Sequence, residues 1–119
     1  MKVLIIGIDS QIGRALAKLL RQDDIEVFGT SRKKVEESHT LYLDLEDTAR
    51  AREFEDFDVT FLCASETSIA ACRKDPLRTA RINVEAPFDL ARHLLSKGSF
   101  IVYLSSNAVF DGTLPHRVA

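Results

Sequence analysis

Gly7, Ser10 and Gly13 are the residues of this 119-residue chain whose types and spacing first suggest chemistry, in the stretch VLIIGIDSQIGRALAKLL. A β-branched run, Val3 to Ile8, leads into the first glycine, and the second stands where an amphipathic segment begins. That order suits an anion. Gly7 permits a tight turn after a strand, and Gly13 permits a helix to pack closely on it. The first-turn amides near Gln11 and Ile12 then point at a pyrophosphate with the helix dipole behind them. The spacing is GxxSxxG, not GxGxxG, and a loop that only turns the chain and binds nothing is the alternative. Other reactive side chains are less organised. Cys63 and Cys72 fit neither a zinc spacing nor a CxxC pair and read as buried free thiols. Asp9, Asp111, His39, His93 and His116 fall at no ligand spacing, so no metal is expected.

The elements that must position the glycine loop alternate. Val3 to Ile8 reads as a strand buried on both faces. Ile12, Leu16, Leu19 and Leu20 recur at helical spacing, with Arg14, Lys18 and Arg21 opposite. Ile25 to Thr30 is a second strand, and Ser31 to Ser38 a charged loop or short helix. Thr40 to Leu43 is a third strand, after which Asp47 is placed to cap a short helix through Phe54. Asp58 to Cys63 is a fourth strand. A long helical stretch follows: Ser65 to Arg73, a start at Asp75-Pro76, then Ala80, Val84, Leu90, Ala91, Leu94 and Leu95. Pro87 inside it removes a backbone donor and predicts a kink near Asn83–Ala86. Lys97-Gly98 ends the helix, and Ser99 to Leu104 is the fifth strand. The tail from Ser105 has no periodicity. The alternation predicts an α/β fold, one domain over residues 1–119 with a doubly wound parallel five-stranded sheet and helices on both faces; for a Rossmann-like dinucleotide-binding unit the strand order is 3-2-1-4-5. A ligand is then expected at the carboxyl ends of the first and fourth strands.

Composition narrows the function classes. The chain is 45% hydrophobic and 29% charged, with net charge −2. No basic excess points to nucleic acid and no basic amphipathic helix to a membrane surface. No run approaches the ~18 apolar residues of a span. MKVLIIGIDS has too short an apolar run and no small-residue cleavage site for a signal peptide. A cytoplasmic protein is expected.

Taken together, VLIIGIDSQIGRALAKLL, VFGTSRKK, LYLDLED, DVTFLCAS, RINVEAPFDLARHL and VYLSSNAVFDG resemble the amino-terminal NAD(P)-binding part of extended short-chain dehydrogenases/reductases. The likeness is to the sugar-nucleotide branch of dehydrorhamnose reductases, epimerases and dehydratases. Gly7 and Gly13 match the outer glycines of the family's GxxGxxG, and Ser10 replaces the middle one, its hydroxyl able to donate to a phosphate. The resemblance places Thr30, Ser31, Arg32 and Lys33 where NADP-using members hold a 2′-phosphate, so NADP(H) is preferred and NAD(H) remains possible. A solvated basic loop is the plainer reading. Asp44 would accept from the adenine amino group and Leu45 would pack on the ring, unless Asp44 is only a helix cap. Cys63, Ala64 and Ser65 match a small-residue segment along the cofactor, although Leu62 stands where the family has asparagine. Asn83 matches an asparagine that bonds backbone. Ser106 falls on the catalytic serine/threonine position, which hydrogen-bonds the reacting substrate oxygen. Alternatively, Ser105 and Ser106 only end a strand by bonding local backbone.

The family's YxxxK pair has no counterpart. Glu46 stands four residues after Tyr42, and Asn107 four after Tyr103. With no general acid for an alkoxide, the 119 residues are expected to lack reductase activity by themselves and to be an amino-terminal piece of a longer enzyme, without its substrate domain. SFIVYL would then be an apolar sheet edge, which predicts a homodimer through that strand and the helix beside it. Two readings are carried forward. One is the dinucleotide-binding portion of an NADP-dependent sugar-nucleotide reductase or epimerase. The other is a short non-catalytic module for binding, regulation or dimerisation. A flavodoxin-like or receiver domain is disfavoured, since Asp9 alone follows the first strand and no lysine follows the fifth.

Overall fold

The computed structural model describes residues 1–33, 38–64 and 69–104. Five parallel strands form one sheet in the order β3-β2-β1-β4-β5: β1 Lys2–Ile6, β2 Glu26–Ser31, β3 Thr40–Tyr42, β4 Val59–Leu62 and β5 Phe100–Tyr103. This is the expected order. Val3 pairs in register with Val27 on one side and Val59 on the other, so β1 is central.

Pleating divides the apolar run of β1 between two cores. Val3 and Ile5 join Ala17 and Val27 beneath helix α1, Gln11–Gln22. Leu4 and Ile6 join Leu43, Phe54, Phe57, Leu62, Leu90 and Leu94 on the opposite face. The covering elements there are a 3₁₀ helix, Thr48–Glu53, and helix α4, Ala86–Ser96. Each fully buried side chain of this size contributes roughly 1.5–3 kcal/mol. The buried stripe of α1 differs from the expected one. Gly13 and Ala17 face the sheet, flanked by the part-buried Leu16 and Leu20, while Ile12 and Leu19 are exposed. The smallest side chains lie at the closest approach, which a hydrophobicity count undervalues.

The long helical stretch is segmented. Helix α2 is Ile69–Lys74 and helix α3 is Pro76–Ala80. Asp75 caps α3, its side chain accepting from the Arg78 amide at 3.0 Å, as the Asp-Pro pair implies. The kink expected from Pro87 takes the form of a π-helical turn, Arg81–Glu85, in which the Ala86 amide reaches back to the Arg81 carbonyl. Widening the helix just before Pro87 accommodates the missing donor without ending the helix. The buried residues across this junction are Ile82, Ala86, Leu90 and Leu94, four apart, whereas Val84 and Leu95 are exposed, contrary to the simple periodic reading. Gly98, with φ +89°, closes α4. Its amide donates to the Leu95 carbonyl and that of Ser99 to Leu94, both at 3.0 Å.

Candidate functional site

The glycine loop is tied down by its own polar groups. β1 ends at Ile6, and Gly7 turns the chain with φ +86°. The Gly7 amide donates to Thr30 Oγ1 at 3.0 Å, and the Ile8 amide to the Thr30 carbonyl at 3.0 Å. Ser10 is the N-cap of α1. Its hydroxyl donates to the Gly7 carbonyl at 2.9 Å and accepts from the Gly13 amide at 3.0 Å. The serine at the middle glycine position therefore staples the turn to the helix, and its hydroxyl proton goes to Gly7, not to a phosphate. The amides of Gln11 and Ile12 belong to the first turn, where no preceding helical carbonyl faces them.

Steric demands explain the glycines. A Cβ on Gly13 would lie 2.4 Å from the Gly7 carbonyl oxygen, and one on Gly7 2.5 Å from the Ala64 Cβ. Ala64, just past β4, is thus the small residue that lets the loop approach the sheet. Gly29 has a similar part that sequence reasoning did not single out: a Cβ there would lie 2.3–2.8 Å from three side-chain atoms of Ile8. A glycine inside a strand was the available signal for a close approach.

These residues line a cleft of about 930 Å³ across the carboxyl ends of β1, β2 and β4. Gly7, Ser10, Gln11 and Ile12 form the glycine-loop wall; Ser31, Arg32 and Lys33 the β2 wall; Asp44 and Leu45 the wall after β3; Cys63 and Ala64 the wall after β4. Gly13 lies behind the loop, buried against it. Ser65 and Ser106, expected beside the cofactor and at the reacting centre, lie outside the described residues, as does Ser105. Asp44 does not cap the 3₁₀ helix. Asp47 does, accepting from the Ala49 amide at 3.3 Å, while Asp44 accepts from the Glu46 amide at 2.9 Å and rims the cleft. Leu62 is buried in the core, and Asn83 stands in the π turn.

Sequence reasoning missed other cleft residues. Arg78 of α3 and Ile82 of the π turn reach it, Arg78 with its Nε 3.4 Å from Glu46 Oε2. Asp9 is a further one: its Oδ2 accepts from Ser31 Oγ, which also accepts from the Lys33 amide at 3.1 Å. Thr30, expected to offer a hydroxyl at this wall, is buried and holds the Gly7 amide. Cys63 and Cys72 are only part-buried, a correction to the expectation of buried thiols. Partial burial pushes the Cys63 thiol above its ordinary pKa, which keeps it protonated and unreactive near neutrality. Among the described residues no cluster of potential metal ligands is found, and no helix is long and apolar enough to cross a membrane.

The fold and its cleft have counterparts in known proteins. The methionine adenosyltransferase 2 subunit beta of Xenopus tropicalis is 32% identical over 117 residues, which is 96% of this chain and 35% of that protein. The chain thus spans about a third of the length of the curated relatives it matches. A dTDP-4-dehydrorhamnose reductase from Clostridium acetobutylicum superposes with a TM-score of 0.84 at 29% identity, over 99% of this chain and 40% of its own. A short-chain dehydrogenase/reductase superfamily protein from Agrobacterium tumefaciens with bound NAD also superposes at 0.84, over 99% of this chain and 36% of its own. Its identity is 21%, and that likeness establishes the fold alone. Residues 1–118 match the family described as the RmlD substrate binding domain, and the chain belongs to that family.

Proposed function

We propose that the cleft binds a nicotinamide dinucleotide and that the chain is the cofactor-binding portion of a sugar-nucleotide reductase or epimerase. The observation that carries this is the stapled glycine loop: a Cβ at Gly13 would lie 2.4 Å from the Gly7 carbonyl, at a helix N-terminus that opens on a cleft of about 930 Å³. The residues present fit the group. The pyrophosphate lies against the amides of Gln11 and Ile12, the adenine between Asp44 and Leu45, and the rest of the cofactor along Cys63 and Ala64; Ser65 keeps its proposed role beside it from the resemblance alone. The exposed cations Arg32 and Lys33 favour a 2′-phosphate, hence NADP(H) over NAD(H). The dinucleotide supplies a hydride when bound. The 119 residues contain no Tyr-x-x-x-Lys pair to supply the proton, so this chain alone binds without turning substrate over. Ser106 keeps its proposed role at the substrate oxygen.

Titration of the purified chain with NADPH and NADH tests the reading. Saturable binding of either is expected, tighter for NADPH. Gly13→Val is expected to weaken both by about 100-fold or more, since overpacking here displaces the anion-binding turn. Unchanged affinity in a folded Gly13→Val chain would remove the site from this loop.

A second reading has its own support. The vertebrate relatives are named as a subunit of methionine adenosyltransferase, which suits a non-catalytic binding or regulatory module. Full-length protein that binds dinucleotide but reduces no sugar nucleotide would favour it. For either reading we propose a homodimer through β5 and α4, because Phe88, Leu95, Phe100 and Tyr103 are all more than half exposed. A monomer by sedimentation at tens of micromolar would rule this out.

A further inference from the structure

The β2 wall of the cleft carries a residue of the wrong charge for a simple phosphate pocket. Ser31 is buried at the end of β2, beside the exposed cations Arg32 and Lys33. Its hydroxyl is already engaged: Oγ donates its single proton to Asp9 Oδ2 and accepts from the Lys33 amide. Asp9 comes from a different element, two residues beyond Gly7 on the glycine loop, and is itself exposed and part of the cleft lining. The neighbouring hydroxyl, that of Thr30, is buried beneath the glycine loop, where its oxygen accepts from the Gly7 amide.

The two forms of an adenosine ribose meet this arrangement differently. A 2′-phosphate brings oxygens only. It finds a serine proton turned toward a carboxylate, and a negative charge one hydrogen bond away from that serine. A free ribose diol brings protons of its own, which a carboxylate accepts. We infer that Asp9 is a specificity-determining residue of the cofactor cleft, opposing Arg32 and Lys33 and holding down discrimination in favour of the 2′-phosphorylated dinucleotide. The inference rests on the dinucleotide reading above and deepens it. The loop and β2 together set a balance of charge: two cations invite the phosphate, and one carboxylate competes with it for Ser31.

The test is the ratio of NADPH to NADH affinity, measured by calorimetry in wild-type chain, Asp9→Asn and Asp9→Ala at low and high salt. Both variants remove one negative charge from an exposed position, so folding is expected to persist and is checked by circular dichroism. The ratio is expected to rise about ten-fold in each at low salt, from the Coulombic cost of like charges a few ångströms apart. The gain is expected to shrink at high salt as screening grows. A merely structural role for Asp9 would weaken both cofactors together and leave the ratio unchanged. That result, or a ratio that falls, overturns the proposal while leaving the dinucleotide site standing. If neither cofactor binds wild type or variants, the dinucleotide reading itself falls and this proposal with it.

Discussion

Every residue of β1 from Val3 to Ile6 is buried, whereas in β5 Phe100 is 69% exposed and Tyr103 57%. Both are short, largely apolar strands of one parallel sheet. The difference is one of neighbours. β1 lies between β2 and β4, under α1 on one face and the 3₁₀ helix and α4 on the other. β5 pairs with β4 alone among the described strands, and Ile101 is its contribution to the α4 core. In the helical layer, too, Val84 and Phe88 are 66% and 62% exposed. At the glycine-loop end of the molecule, loop, cap and cleft walls hold one another. The β5 flank presents surface that a further partner can cover.

Substitutions can break or sharpen that contrast. The largest effect is expected at Leu90, which is 1% exposed and packs in the α4 core. Leu90→Ala should cost about 2–5 kcal/mol by urea unfolding, showing that α4 is anchored from within even though its outer face is bare. Gly29→Ala comes next, at about 1–3 kcal/mol, because the added methyl meets the Ile8 side chain. It should also weaken dinucleotide binding, since Ile8 belongs to the loop, and paired unfolding and titration measurements check both effects. The smallest effect is expected at Phe88. Phe88→Ser should shift the stability of dilute, monomeric chain by less than about 0.5 kcal/mol, as exposed sites do. The same change should lower the sedimentation coefficient at tens of micromolar if the flank joins two copies. A loss of several kcal/mol at Phe88 under dilute conditions would mean that the two regions are not built differently after all.

Much of this was legible before any coordinates. The alternation of apolar runs with helical spacing specified five parallel strands, because each run is too short for a buried helix; right-handed crossovers left few arrangements, and the order followed from reading the glycine loop as that of a dinucleotide-binding unit. The glycine turn, the Asp75 cap and the Gly98 terminator were readable for a local reason: each depends on a backbone conformation or an orphan amide that only a few residue types serve. Gly7, Ser31, Asp44, Leu45 and Cys63 could be nominated for the cleft because the family resemblance sets a cofactor at the carboxyl ends of the strands, which these residues end or follow.

What the tertiary structure alone decided is how those positions spend their polar groups. Ser10 looked like a donor to a phosphate and is a staple, because its hydroxyl reaches the Gly7 carbonyl and the Gly13 amide. Thr30 looked like a ligand group and is a support for the loop. Asp9 carried no spacing signal at all, since its partner Ser31 is 22 residues away. The burial of Ala17 in place of Leu19, and the π turn that absorbs Pro87, likewise follow from how closely a helix lies on its sheet. Periodicity records which side of an element is apolar. It does not record how near the next element comes, and hydrogen bonds between distant segments exist only once that distance is set.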